Sequence, residues 1–354
     1  ISNETNSLDE SLFFFCQVLY FLRDILLISM HGFFLTREQR ENIAEWKYAV
    51  VDNSITTKLF TPWWNYAVTW IPDTVAPNIV SLAGLLCILY YFNLAYNFAD
   101  THTIWVSLAG VFLSFVYATL DAVDGKHARR TGNASPLGEL FDHSCDNVSV
   151  PFGAIAFTLS VGITDMTINW YIVQATQVLF LLSHVAAFKN KVVEFGRWTG
   201  PGECLLLFQT LLVVNAVYGM DWLKVHIDHW ATLYNITPVE LGIRIFSSIY
   251  YASLVFFIVY VLTLSKKHII TKKGLFVSIA IRFIKLNLYT VISDGVIMAV
   301  LTGDMIVSKM ARRDLHPLVP ILLMLSIFDN FLCISGALFY YCVVLYEIAD
   351  ALRL

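Results

Sequence analysis

Charged residues are scarce in this sequence. Asp, Glu, Lys and Arg make up 14% of the 354 residues, and apolar residues make up 57%, whereas a soluble domain carries about 25% charged residues. The chain also contains several long apolar runs, which a larger soluble core does not explain. The composition therefore excludes an ordinary soluble domain and indicates a membrane protein.

A basic field and paired cysteines are also missing. The formal net charge is −4, so no nucleic-acid partner is expected. The cysteines form no CxxC pair and no zinc-finger spacing, and they are interpreted as small apolar residues: Cys16, Cys87, Cys145, Cys204, Cys333 and Cys342.

The apolar runs predict membrane-spanning helices, each of which needs about 20 apolar residues. They lie at 12–34, 79–97, 103–123, 147–164, 168–188, 203–220, 246–265 and 275–303, with one long or two short spans in 317–349. Because 275–303 contains Arg282, Lys285 and Asp294, it is either a channel-lining helix or a broken pair. The predicted fold class is an all-α, polytopic membrane bundle of about 8–10 transmembrane helices.

Residues 37–77 differ from these runs because charged and aromatic side chains alternate along them, ending in the sequence Thr61-Pro62-Trp63-Trp64. This pattern suits an amphipathic segment in the headgroup region; a solvated loop is the alternative. Lys and Arg concentrate in this segment and in three loops, at 126–130, 189–197 and 266–273. If the helices alternate in direction, all of these lie on the same side of the membrane. Among the loops that connect these helices, the opposite side receives Lys224 and Arg244. The asymmetry supports the helix order and indicates that the basic side is cytoplasmic or its equivalent.

Four aspartates cluster on the basic side, between the third and fourth predicted spans. Asp121 and Asp124 are three residues apart, and Asp142 and Asp146 are four apart, so each pair shares a helix face. Residues 131–136 (Thr-Gly-Asn-Ala-Ser-Pro) separate the two helices. Two antiparallel helices would therefore present four carboxylates to one point at a membrane interface.

Four carboxylates beside lipid require compensation, because like charges repel and ionised groups are costly there. One or two Mg²⁺ or Mn²⁺ ions would supply it, since both prefer oxygen ligands, and Mg²⁺ commonly bridges carboxylates to phosphates. Gly125 and Gly138 would let a nucleotide approach the backbone, and Arg129 offers a fork that fits a phosphate.

The complete pattern D-x2-D-G-x2-A-R-x8-G-x3-D-x3-D, from Asp121 to Asp146, resembles the signature of the CDP-alcohol phosphotransferase family. The surrounding residues 124–146, with weaker similarity over much of 36–346, resemble the eukaryotic choline/ethanolamine phosphotransferases. At Lys309, a weak alignment places histidine in relatives. The resemblance implies transfer of phosphocholine or phosphoethanolamine from the CDP-alcohol to diacylglycerol or its ether analogue, with release of CMP.

The resemblance also implies roles for individual residues. Two divalent ions would be held by Asp121, Asp124, Asp142 and Asp146. The CDP-alcohol would be lined by Asn78, Gly125, Ala128, Arg129 and Gly138. The general base stays open between Asp146, the usual candidate in the family, and His143, whose imidazole titrates near neutrality.

Four units follow from this interpretation. Residues 1–36 are predicted to form an extra N-terminal hydrophobic helix, 37–77 the interfacial segment, 78–220 the catalytic helices, and 221–354 a C-terminal transmembrane bundle for the acceptor lipid or for oligomerisation.

Two functional classes remain open. The first is an active choline/ethanolamine phosphotransferase, expected as a homodimer in the endoplasmic reticulum. The second is a family-fold subunit of a larger membrane complex, with a structural or lipid-binding role, for which the mitochondrial inner membrane is the alternative location. Charges within 275–303 leave a transporter as a third and weaker interpretation.

Overall fold

The computed structural model describes residues 32–198, 200–280, 287–325 and 329–353. Within these ranges the chain forms thirteen α-helices and one pair of short strands. They are α1 (Arg37–Ala44), β1 (Val50–Asp52), α2 (Ile55–Ala67), α3 (Pro77–Phe98), α4 (Thr103–Thr131), α5 (Pro136–Ser160), α6 (Met166–Asn190), β2 (Val193–Phe195), α7 (Pro201–Tyr218), α8 (Asp221–Leu233), α9 (Pro238–Leu262), α10 (Ile269–Ala280), α11 (Leu288–Ala311), α12 (Leu318–Leu325) and α13 (Asn330–Leu352).

Seven of the described helices are long and apolar enough to cross a membrane: α3, α4, α6, α7, α9, α11 and α13. Helix α5 has a similar length but carries the charged residues of the motif. The predicted all-α polytopic membrane class is confirmed.

The helices pack around α11, which is buried along most of its length. Helices α5, α6 and α13 surround it, while α3 packs against both α4 and α5. The largest apolar cluster therefore lies between α5, α6, α9, α11 and α13. This arrangement puts the motif helix α4 at the edge of the central bundle, whereas the motif helix α5 packs directly against α11.

Several predicted boundaries change in the structure. The predicted span 147–164 is the second half of α5, which already begins at Pro136 because Ser135 caps its first turn. The stretch 275–303 is a broken pair, formed by α10 and α11. The region 317–349 also forms two helices, a short α12 and a long α13. The predicted span 12–34 lies outside the described residues except at its last three positions.

Residues 37–77 fold into α1, β1, α2 and a short 3₁₀ turn rather than one continuous helix. Strand β1 pairs in parallel with β2, with Val50 opposite Val193. The strand pair was not predicted, since each strand is only three residues long and carries no alternating pattern of useful length. It ties the segment before α3 to the loop after α6, on the side of the molecule where the motif lies.

Candidate active site

The turn between α4 and α5 brings the two halves of the motif together. Helix α4 ends at Gly132, whose φ of 73° is the left-handed conformation that glycine adopts without strain. Helix α5 then starts with Pro136 in its first turn, and the hydroxyl of Ser135 accepts a hydrogen bond from the backbone N–H of Gly138. Because glycine ends α4, and a capped first turn with proline begins α5, the chain reverses direction within a few residues.

The four aspartates meet as two facing pairs. The carboxyl group of Asp121 interacts with that of Asp146, and the carboxyl group of Asp124 interacts with that of Asp142. Each pair joins α4 to α5, as the helical spacing predicted. Asp124 is nearly fully buried. The structure thus brings together all four predicted metal ligands.

Neutral hydroxyl groups hold two of these carboxylates in place. Ser81 of α3 donates a hydrogen bond to Asp124. The phenol of Tyr117 donates to Asp146 Oδ1 at 2.8 Å, and Ser149 donates to the Tyr117 oxygen at 3.2 Å. Neither Ser81 nor Tyr117 was predicted from the sequence to lie at the site. Tyr117 was detectable, because it lies four residues before Asp121 and therefore on the same face of α4.

His143 lies beside the aspartate cluster and also contacts α6. Its Nδ1 is 3.7 Å from Asp146 Oδ2, and ligand atoms of Asp142, His143 and Asp146 all lie within 4.8 Å of one another. On the other side, its ring makes an edge-to-face contact with His184 at 5.0 Å. One side of the His143 ring therefore adjoins the aspartate cluster, and the other side packs against α6.

Tyr48 of the interfacial segment lies over the same histidine, with a ring separation of 6.2 Å. Desolvation, and next the negative charge of Glu139, raises the pKa of the Tyr48 phenol, which therefore stays a neutral hydroxyl at physiological pH. The segment 37–77 thus contributes a polar but uncharged group next to His143.

The residues expected to line the nucleotide fall in two places. Asn78, at the start of α3, lies beside Gly138, where its Oδ1 would be 3.6 Å from an added Cβ. Gly125 and Ala128 lie on α4, and the exposed guanidinium of Arg129 folds back over Gly125, 3.4 Å from the position of an added Cβ. The structure therefore brings Asn78 to the second glycine of the motif and Arg129 to the first.

A buried ion pair adjoins the site and joins three distant parts of the chain. Lys309 Nζ of α11 donates to Glu139 Oε1 at 2.6 Å, and the indole of Trp46 donates to Glu139 Oε2 at 2.8 Å. The side chains of Lys309 and Glu139 are 1% and 5% exposed. Sequence reasoning gave Glu139 no role, because its partner lies 170 positions along the chain. The pair fixes the first turn of α5 against α11 and the interfacial segment.

The aspartate cluster fits a divalent cation. Neighbouring carboxylates repel each other when both are ionised, unless a proton or a cation lies between them. All the acidic donors are hard oxygens, which suits Mg²⁺ or Mn²⁺. Such a site, next to two glycines and an exposed arginine, has the chemistry needed to bind a pyrophosphate.

Comparison with known proteins shows which family the motif region is similar to. Residues 74–236 match the family model described as CDP-alcohol phosphatidyltransferase. An uncharacterized CDP-alcohol phosphatidyltransferase class-I family protein 2 of Dictyostelium discoideum is 39% identical over 186 residues, which cover 51% of this chain and 45% of that protein. Choline/ethanolaminephosphotransferase 1 of Arabidopsis thaliana is 30% identical over 219 residues, or 60% of this chain and 56% of that protein.

Cholinephosphotransferase 1 of Gallus gallus is also 30% identical, over 54% of this chain and 59% of its own length. The chain spans about half the length of the relatives it matches. The fold and the site define a polytopic α-helical membrane protein with an acidic cluster at one end of its motif helices. More particularly, residues 74–236 are similar to the CDP-alcohol phosphatidyltransferase family model.

Proposed function

We propose that this chain transfers phosphocholine or phosphoethanolamine from the CDP-alcohol to diacylglycerol, or to an ether analogue, and releases CMP. One observation carries the proposal: the four motif aspartates of α4 and α5 face one another in a single cluster beside Asn78 and Gly138. The relatives named cholinephosphotransferase and choline/ethanolaminephosphotransferase support the choice of substrates.

In this proposal Asp121, Asp124, Asp142 and Asp146 would hold two Mg²⁺ or Mn²⁺ ions, which when bound would neutralise the charge of the pyrophosphate. Ser81 and Tyr117 orient two of these carboxylates through the hydrogen bonds described above. Arg129 binds a phosphate oxygen through its guanidinium. Asn78, Gly125, Ala128 and Gly138 form the nucleotide surface, where the two glycines allow a close backbone approach.

The acceptor hydroxyl oxygen then forms a bond to the phosphorus that carries the alcohol. The pyrophosphate P–O bond breaks, and CMP leaves with the electron pair. His143 takes the proton from the acceptor hydroxyl; its Nδ1 lies 3.7 Å from Asp146 Oδ2, beside the aspartate cluster. Because phosphoryl transfer depends mostly on positioning and charge neutralisation, the remaining side chains serve to hold the CDP-alcohol in place.

We expect purified protein to convert diacylglycerol in the presence of Mg²⁺ or Mn²⁺ and to lose turnover in excess chelator. The measurement offers CDP-choline and CDP-ethanolamine separately and follows both CMP and the lipid product. Full turnover in chelator would remove the metal from the proposal. Absence of transfer from either donor, in protein that is folded and binds Mn²⁺, would favour the family-fold subunit of a larger membrane complex.

His143→Ala should lower turnover by about 10²–10⁴-fold, the usual scale for general acid–base catalysis. CDP-alcohol affinity should hardly change, since the aspartates and Arg129 are intact. The measurement is turnover per folded molecule together with nucleotide affinity, and His184→Phe serves as a control because it keeps an aromatic ring against His143. If His143→Ala keeps normal turnover but melts at a lower temperature, the ring is a packing residue and Asp146 regains the role of base.

A further inference from the structure

A proline interrupts α5 directly after the motif. Pro151 lies within the helix and has no N–H, so the carbonyl of Asn147, four residues earlier, has no donor from within the helix. Asn147 follows Asp146, the last aspartate of the motif. The missing hydrogen bond therefore lies at the joint between the part of α5 that carries Asp142 and Asp146 and the part that continues through the bundle.

Gln177 of α6 supplies the missing donor. Its Nε2 lies 3.1 Å from the Asn147 carbonyl oxygen and 3.2 Å from the carbonyl oxygen of Gly295 in α11. The Gln177 side chain is fully buried, and Asn147 is 1% exposed. In an apolar interior an unpaired carbonyl is costly, so this amide replaces the hydrogen bond that the proline removes.

Gly295 allows the three helices to meet at this point. A Cβ at Gly295 would lie 2.6 Å from the Cβ of Pro151, closer than real Cβ contacts allow, and 3.2 Å from Val173 Cγ1, a tight contact. The lack of a side chain lets α11 approach the proline joint closely enough for Gln177 to reach both carbonyls. Two more residues on this face of α6, Gln174 and Trp170, donate hydrogen bonds to Asp294, which precedes Gly295 in α11.

We propose that Gln177 is a positioning residue for the metal-binding half of α5. Its amide connects the proline joint of α5 to α11. This connection fixes the orientation of the part of α5 that presents Asp142 and Asp146 to the two aspartates of α4. The inference rests on the proposed function, because it assigns the aspartates to a metal site. Without the amide, the proline joint is not hydrogen-bonded to the neighbouring helices, and the aspartates of α5 are no longer held opposite those of α4.

Gln177→Met keeps the length and approximate volume of the side chain but removes the donor. We expect Mn²⁺ binding, measured by electron paramagnetic resonance without CDP-alcohol, to weaken roughly 10- to 100-fold, the range for residues that orient metal ligands. Half-maximal turnover should require correspondingly more metal, whereas the KM for the CDP-alcohol at saturating metal should hardly change. The matched control is Gln174→Met on the same face of α6, which leaves the Asn147 carbonyl bonded and should leave Mn²⁺ affinity unchanged.

A second background separates positioning from a general loss of folding. Pro151→Ala restores a backbone N–H to the Asn147 carbonyl, so the Gln177→Met change should cost little Mn²⁺ affinity when it is added to Pro151→Ala. Equal losses in both backgrounds, or no loss in either, would overturn the role of Gln177. Failure of the unmodified protein to bind Mn²⁺ or to turn over would instead overturn the proposed function, and the two failures are therefore distinguishable.

Discussion

Asp142→Asn abolishes transfer and leaves the protein folded in detergent; this is the expected result with the largest effect on activity. Asp142 faces Asp124 across the two motif helices, and an amide in its place loses one charged oxygen ligand. The geometry of a shared metal site cannot be restored by a carboxylate located elsewhere. Asp124→Asn should have the same effect, because the two residues form one pair.

The measurement is turnover, together with elution volume and thermal unfolding of the same preparation. Asp100→Asn is the matched control, since Asp100 is exposed at the far end of α3 and should keep normal turnover. Near-normal transfer by either Asp142→Asn or Asp124→Asn would show that the motif is not the active site of this chain.

The second large effect is on stability. Lys309→Met should lower the free energy of unfolding by about 3–5 kcal/mol, because it leaves the buried carboxylate of Glu139 without its cation. The surviving hydrogen bond from Trp46 does not supply the missing charge. The double variant Lys309→Met with Glu139→Gln should recover most of the loss, since it removes both charges together and keeps an oxygen that can accept from the indole.

Denaturant or thermal unfolding in detergent measures this prediction, with all four combinations compared in a double-mutant cycle. Lys224→Met is a suitable control, because Lys224 pairs with Asp221 on an exposed surface, where ion pairs contribute little. If Lys309→Met cost no more than Lys224→Met, the ion pair would not be a structural element of the bundle.

Local sequence pattern was sufficient for much of the fold. Apolar runs predicted the helices now seen as α3, α6, α7 and α9. The charges in 275–303 left a channel-lining helix or a broken pair open, and the structure shows the two helices α10 and α11. Periodicity did not show where α5 begins, because polar motif residues occupy its first turns and hide it from a search for apolar runs. It also missed the strand pair, since pairing between Val50 and Val193 depends on residues far apart in sequence.

The residues of the candidate site also fall into two groups, those that the local sequence predicted and those that it did not. The motif aspartates, Gly125, Gly138 and Arg129 were found because their chemistry lies within one short stretch of helix, turn and helix. Ser81, Glu139 with Lys309, and Gln177 were not assigned roles, since a serine, an ion pair or a glutamine has no meaning in the sequence until its partner is known. Each of them contacts a residue of another helix. Ser81 contacts Asp124, Lys309 contacts Glu139 in the first turn of α5, and Gln177 contacts the proline joint.

The sequence by itself determined the membrane class, the basic side of the bundle and a spacing that puts two carboxylates on each of two helix faces. These properties follow from composition and helical periodicity, which are local. Only the tertiary structure decided that the two faces meet, that Asn78 reaches Gly138, and that α11 supports α5 through Lys309 and Gly295. Those contacts depend on how the helices pack, and packing is set by side chains that are distant in the chain and close only in the folded bundle.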